Sequence, residues 1–217
     1  MNFGLSILGD SHAPHIFRQA AGKKGFVFCS PELAQLVIIA EDTPTKNGIR
    51  DLEPIYKMTR HALANYKGTI LLTSQVPPGF TRAFNAERLY HQSETLRIKD
   101  ALERALYPEQ IILGCMYPGN LLPDALEEYF SVFRCRMLRT TYEHAEFSKI
   151  AINMTLASQV NNTNRLSTAA AKLGIEWHDI QTILKADKRI GPHSYLEPGN
   201  WMDSEHLKRD AITMVDL

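Results

Sequence analysis

The chain has 217 residues, enough for one large domain or one domain with an appendage. Its 44% hydrophobic and 22% charged content is that of an ordinary globular protein, and 24 Lys and Arg balance 24 Asp and Glu. A formal net charge of zero speaks against a broad basic surface for nucleic acid or an anionic membrane, and no apolar run reaches membrane-spanning length. The first ten residues, Met1 to Asp10, lack the basic flank and apolar core of a signal peptide. Residues 6–9 read as the end of a short strand, and 13–21 as a helix with Pro14 tolerable in its first turn. Residues 26–29 are β-prone, and the continuous apolar run 36–40 predicts a strand buried on both faces. Helical spacing at Leu52, Ile55, Met58 and Leu63 predicts a helix over 51–66. A further buried strand, 69–73, ends at Pro77-Pro78-Gly79. Residues 96–106 read as a helix with Ile98, Ala101, Leu102 and Ala105 on one side, 111–113 as a strand and 123–130 as a helix. Alternating strands and helices of this kind predict a parallel sheet with helices on both faces.

The pattern changes near Thr140. No Gly or Pro interrupts residues 142–173, and Gly174 is a helix stop, so one long helix, or two in series, is expected. A second helix follows over 177–186. The long helix is more apolar along Phe147, Ile150, Met154 and Ala157 than one small neighbour needs, which points to a homodimer, although packing on its own α/β domain explains much of it. The expected organisation is therefore an α/β domain over 1–139 and a helical domain over 140–217. Three cysteines, Cys29, Cys115 and Cys135, are odd in number and without paired spacing, which points to a reduced, cytoplasmic setting. Cys115 and Cys135 flank apolar segments and read as core thiols.

Chemistry concentrates in the last quarter. Lys149 and Asn153 are four apart, so on a helix they share a face, and a cation beside an amide can polarise a substrate oxygen. Spacing alone is equally that of a solvated lysine and a surface amide. Further on come Asp187-x-Arg189-Ile190-Gly191, Tyr195-Leu196-x-Pro198-Gly199 and Asp210, the last of which can pair with Arg209 or Lys208 at the surface. His206 with His193, Asp203 and Glu205 matches no standard metal spacing, so no metal is expected.

Taken in order, these segments resemble the UDP-glucose/GDP-mannose dehydrogenase family from about Leu36 to Asp210. Thr43-Pro44-Thr45 with Asp51-Leu52 is similar to its cofactor-side TPT loop, and Ser74-Gln75-Val76-Pro77-Pro78-Gly79 to its STVPxG loop. Glu94-x-Leu96-Arg97 resembles its PE-x-LR segment, and Glu146, Lys149 and Asn153 its E-x-x-K-x-x-x-N helix. Each motif alone is weak, while their order and spacing together are specific. The resemblance implies a reduced Rossmann-like parallel-sheet domain followed by a long-helix dimerisation domain. It implies NAD as cofactor, with Gly9, Thr43 and Gln75 on the cofactor side. It implies a nucleotide sugar as substrate, whose primary alcohol is oxidised to a carboxylate through a cysteine-bound thiohemiacetal. Lys149 and Asn153 would stabilise the developing alkoxide, Asp210 would orient a water or the lysine, and Glu94 would serve in acid–base relay.

The departures matter as much. Counting back from Asp210, His206 stands where the family has its nucleophilic cysteine, and an imidazole cannot form the thiohemiacetal that a thiolate forms. The family's glycines before that position are absent, Gln75 replaces a threonine and Arg165 a glutamate. A dinucleotide fold needs G-x-G-x-x-G at its first turn, whereas Ile7-Leu8-Gly9-Asp10-Ser11-His12-Ala13 keeps only Gly9, and Asp10 adds a negative charge there. The sequence ends soon after Asp210, so the resemblance implies a shortened member without the family's third domain. Three readings remain open: a divergent nucleotide-sugar dehydrogenase, a non-catalytic dimeric binding or regulatory module on the same scaffold, and a new reaction with His206 as base.

Overall fold

Apolar runs in the first half of the chain lie side by side in one sheet, in a computed structural model that describes residues 3–216. Met1 and Asn2, at the head of the segment read for a leader, lie outside the described residues, and so does the side chain of Ile98. In chain order the elements are β1 (Gly4–Leu8), α1 (His12–Lys23), β2 (Val27–Phe28), β3 (Leu36–Ile39), a small hairpin of β4 (Thr45–Lys46) and β5 (Ile49–Arg50), α2 (Glu53–Asn65), β6 (Thr69–Leu72), β7 (Leu89–Ser93), α3 (Ala101–Leu106), β8 (Gln110–Cys115), α4 (Asp124–Ser131), β9 (Arg136–Thr141), α5 (Tyr142–Lys172), α6 (Trp177–Ala186) and α7 (Glu205–Asp216). The seven-stranded sheet has the order β2-β1-β3-β6-β7-β8-β9.

Strand periodicity sorts the core into two layers. Leu36, Ile38 and Leu71 join Leu5, Ile7, Phe17, Leu113 and Leu126 on one face. Val37, Ile39, Ile70 and Leu72 join Ile55, Ala62 and Leu89 on the other. All four residues of β3 are fully buried, as the unbroken apolar run predicts for a central strand.

The sheet is mostly parallel, not wholly so. β1, β2, β3, β6 and β7 run together, β8 is antiparallel to β7, and β9 is parallel to β8. Apolar periodicity reports burial and face but carries no strand direction, which is why residues 111–113 read as one more parallel strand. The predicted helix over 96–106 is shorter: a 3-10 turn at Ile98–Asp100 leads into α3. Asp100 receives hydrogen bonds from Arg97 and Arg104, which stabilises that turn. The long helix is a single uninterrupted α5 of 31 residues, about 46 Å at ~1.5 Å per residue.

Two compact units are distinguishable: one of Met1–Pro44 and Arg50–Lys149, the other of Thr45–Ile49 and Ile150–Leu217. Residues 140–149, which the sequence assigns to the helical part, pack with the sheet. Gly114 on β8 makes this possible: a Cβ there would lie 2.9 Å from Ala145 Cβ and 3.0 Å from Tyr142 Cα. The Tyr142 hydroxyl donates to Leu89 O on β7, in the buried interior of the same unit. Arg82 grips Glu143 bidentately, Nε to Oε1 at 2.8 Å and Nη2 to Oε2 at 3.1 Å.

Two groups of this unit set its acid sensitivity. The Arg82 guanidinium holds the Glu143 carboxyl at about 2, well below its ordinary 4.5. Burial pushes the His91 imidazole on β7 down to about 3 from 6.5. Both shifts are depressions, so both contribute stability that is present above the unfolded value and lost as pH falls to the folded one. His91→Leu is therefore expected to flatten the loss of stability between pH 6.5 and about 3. Glu143→Gln should alter it only between 4.5 and about 2, and by no more than ~1 kcal/mol, because both partners are 40% exposed. Urea midpoints measured across that pH range check both.

Candidate active site

The turn after β1 is where an α/β fold of this order first presents ligand-type geometry. Gly9 closes the strand at φ +118°, and a Cβ there would lie 2.6 Å from both Glu41 Oε2 and Pro14 Cγ. The backbone N–H groups that follow point at two carboxylates from the segment after β3. Glu41 Oε2 accepts from Asp10 N at 2.7 Å and from Ser11 N at 3.4 Å. Asp42 Oδ2 accepts from His12 N at 3.0 Å and from Ala13 N at 3.3 Å. Ser11 Oγ accepts in return from Asp42 N at 2.7 Å. On the other side of the turn, Arg18 Nη2 donates to Ile7 O and Gly9 O, each at 2.8 Å.

A second loop of the same unit is closed the same way. Glu146, 2% exposed, accepts from Gly79 N at 2.6 Å through Oε2 and from Thr81 N at 2.8 Å through Oε1. Burial raises its carboxyl above the ordinary value, and the donors from Thr81 and Gly79 oppose that rise. The motif's glutamate thus holds the Pro77-Pro78-Gly79 loop against the first turns of α5. Thr43, which the resemblance places on the cofactor side, is buried, and its Oγ1 donates to Gln75 O at 2.7 Å. Gln75 Nε2 is buried with no hydrogen-bond partner among the described residues. Glu94 lies in an irregular segment after β7, is half-buried, and accepts from Leu96 N.

In the second unit, α5 and α7 bring Asn153 and Asp210 together across 57 residues. Asn153 Nδ2 donates to Asp210 Oδ2 at 2.6 Å, and Arg209 Nε to Asp210 Oδ1 at 3.3 Å. Asp210 is fully buried and Arg209 is 2% exposed, so the pairing that the sequence allows at the surface is an interior one. Arg209 Nη2 has no partner among the described residues. Lys149, half-buried, stands one helical turn before Asn153 on α5. His206 is exposed in the first turn of α7.

The motif at 195–199 is a backbone platform. Gln159 Oε1 accepts from Tyr195 N at 3.0 Å, and Thr163 Oγ1 donates to Tyr195 O at 2.9 Å. From α6, Trp177 Nε1 and Gln181 Nε2 both donate to Leu196 O, at 2.9 and 2.7 Å. Asn164 clasps Gly199 reciprocally, donating to its carbonyl at 2.6 Å and accepting from its N–H at 2.9 Å. Asp187 accepts from its neighbour Arg189 through both oxygens in an exposed pair.

Residues 143–217 match the model of the UDP-glucose/GDP-mannose dehydrogenase family, central domain. The chain is thus similar to that family. It is 25% identical over 198 residues to UDP-glucose 6-dehydrogenase of Bacillus subtilis, covering 85% of this chain and 44% of that protein. It is 28% identical over 167 residues to UDP-glucose 6-dehydrogenase of Campylobacter jejuni, covering 75% and 42%. The chain thus spans less than half the length of these curated relatives. Its fold is that of a UDP-glucose dehydrogenase from Pyrobaculum islandicum, with a TM-score of 0.78, 20% identity, all of this chain and 64% of that one covered. These nucleotide-sugar dehydrogenases are oxidoreductases with a Rossmann-like domain, and the mostly parallel sheet here follows that plan. No helix of the described residues is long and apolar enough to cross a membrane.

The family implies NAD, and the residues at the first turn do not fit it. The N–H groups that would meet a dinucleotide's pyrophosphate already donate to Glu41 and Asp42. Sequence reasoning missed these two carboxylates, and Arg18 with them. Acidic residues following a strand look like a solvated loop, and only the sheet pairing of β1 with β3 sets them beside the turn.

Each buried carboxylate contact has a measurable consequence. Glu146→Ala leaves the N–H groups of Gly79 and Thr81 without their acceptors and is expected to destabilise the chain by roughly 2–3 kcal/mol in urea unfolding. Arg209→Met leaves Asp210 as a buried charge relieved by fewer donors and is expected to cost about 3 kcal/mol, read from the same measurement.

Proposed function

We propose that this protein is a nucleotide-sugar-binding module built on the nucleotide-sugar dehydrogenase scaffold, without the four-electron oxidation. The observation that carries this reading is His206. Counted back from Asp210, it stands in place of the family's nucleophilic cysteine, exposed in the first turn of α7. A thiolate adds to an aldehyde and holds it for the second oxidation, whereas an imidazole at the same place gives no such adduct. The three thiols of the chain do not substitute. Burial pushes Cys115 up to about 11 and raises Cys135, which keeps them protonated, and Cys29 is half-buried against the first strand.

Polar groups suited to a sugar remain. Lys149 offers an ammonium and Asn153 a carboxamide oxygen one helical turn apart on α5, a pair able to hold a hydroxyl without moving a hydride. The α5 face is also where a second copy of the chain would dock. Phe147 is 40% exposed there, while Ile150 and Ala157 are already buried within the chain. A homodimer belongs to this reading, as does a reducing compartment for the unpaired thiols.

The test is direct. UDP-glucose and GDP-mannose are titrated into the full chain by calorimetry, and the mixtures are then supplied with NAD and followed at ~340 nm, where reduced nicotinamide absorbs. Saturable binding of one sugar nucleotide, weakened about tenfold or more by Lys149→Ala, is expected, with no growth in absorbance. Absorbance that grows and falls on Lys149→Ala would restore the dehydrogenase reading. Absence of binding by either sugar nucleotide would sink the proposal.

A further inference from the structure

We infer that Glu41 and Asp42 stand in for a dinucleotide's diphosphate at the β1–α1 turn, so that this turn is folded without a ligand and closed to dinucleotides. In a dinucleotide-binding fold the first turn aims backbone N–H groups and the positive end of the helix dipole at a diphosphate. The same donors are aimed here, but at atoms of the chain itself. Asp10 and Ser11 donate to one carboxylate oxygen, and His12 and Ala13 donate to another. Two carboxylates carry a formal charge of two, the same as the diphosphate they replace.

The surrounding geometry is built for the substitution. Gly9 is the single glycine of the turn, and Glu41 Oε2 lies 2.6 Å from where its Cβ would be, so the carboxylate occupies the close approach that this glycine opens. Arg18 Nη2 ties down the carbonyls of Ile7 and Gly9, fixing the turn from behind. Asp42 N donates to Ser11 Oγ at 2.7 Å, which locks the acidic segment to the turn from both directions. Asp10, exposed in the same turn, adds a further carboxylate. Charge-assisted bonds of this kind are strong, and an incoming diphosphate would have to break them while meeting like charge.

This inference does not rest on sugar binding; the turn can be closed whether or not a nucleotide sugar binds elsewhere. Its test uses the full chain labelled with 15N. NADH and inorganic pyrophosphate, each to about 5 mM, are expected to leave the amide resonances of Asp10, Ser11, His12 and Ala13 of the native protein in place and its melting temperature unchanged. In the double variant Glu41→Ala, Asp42→Ala the same N–H groups are open. Pyrophosphate is then expected to raise the melting temperature saturably and to bind at least about tenfold tighter than to the native chain. Should that variant fail to fold, Glu41→Gln with Asp42→Asn keeps an acceptor on each side chain while removing the charge, and the same gain is expected, smaller in size. Saturable movement of those four resonances in the native protein on adding NADH overturns the inference. A folded variant indifferent to pyrophosphate overturns it as well.

Discussion

The turn from Asp10 into the first residues of α1 presents four consecutive backbone N–H groups, and an acceptor has to be found for them. In this chain the acceptors are carboxylates delivered by the next strand of the sheet. The loop at Pro77-Pro78-Gly79 faces the same obligation and meets it the same way, with Glu146 reaching in from α5 to accept from two amides. Carboxylate-to-amide bonding thus closes both loops that line the strand ends in the α/β unit. It explains why this fold stands with both of these turns satisfied. It also explains why acidic residues are tolerated where an anion would otherwise bind.

The helical unit makes a parallel point with different groups. The Tyr195–Gly199 segment is held almost entirely through its backbone, by Gln159, Thr163 and Asn164 from α5 and by Trp177 and Gln181 from α6. Asn153, Asp210 and Arg209 form a buried polar cluster between two helices of that unit. Buried polar networks of this kind specify one arrangement of the packed elements, because a half-satisfied network is costly. The residues of such a motif are therefore fixed in part by the architecture they enforce. His206, by contrast, sits exposed in the first turn of α7.

How much of this was legible beforehand depends on whether the information is periodic. β3, β6, α1, α2, α5 and α6 were legible because burial on one or both faces imposes a repeat that local sequence displays. β7 was not, since its inward positions include His91 and Ser93, whose polarity breaks the apolar alternation. β9 was not, since as the sheet's last strand it is only partly covered and carries Arg136 and Arg139. The reversed direction of β8 and β9 leaves no trace in composition at all. Asn153 and Asp210 were linked through resemblance to a family and not through their own spacing. Their contact spans 57 residues.

What the sequence determined by itself was the inventory: a buried β core, a long stretch free of Gly and Pro that predicts one helix or two in series, and a glycine-poor first turn. Each of these follows from residue type or from repeats within a few turns of chain. Tertiary structure alone decided which donor meets which acceptor. Glu41 reaches Asp10 across 31 residues and Glu146 reaches Gly79 across 67, distances set by strand pairing and helix docking. A hydrogen bond is sensitive to fractions of an ångström, and no local pattern in the chain encodes that registration.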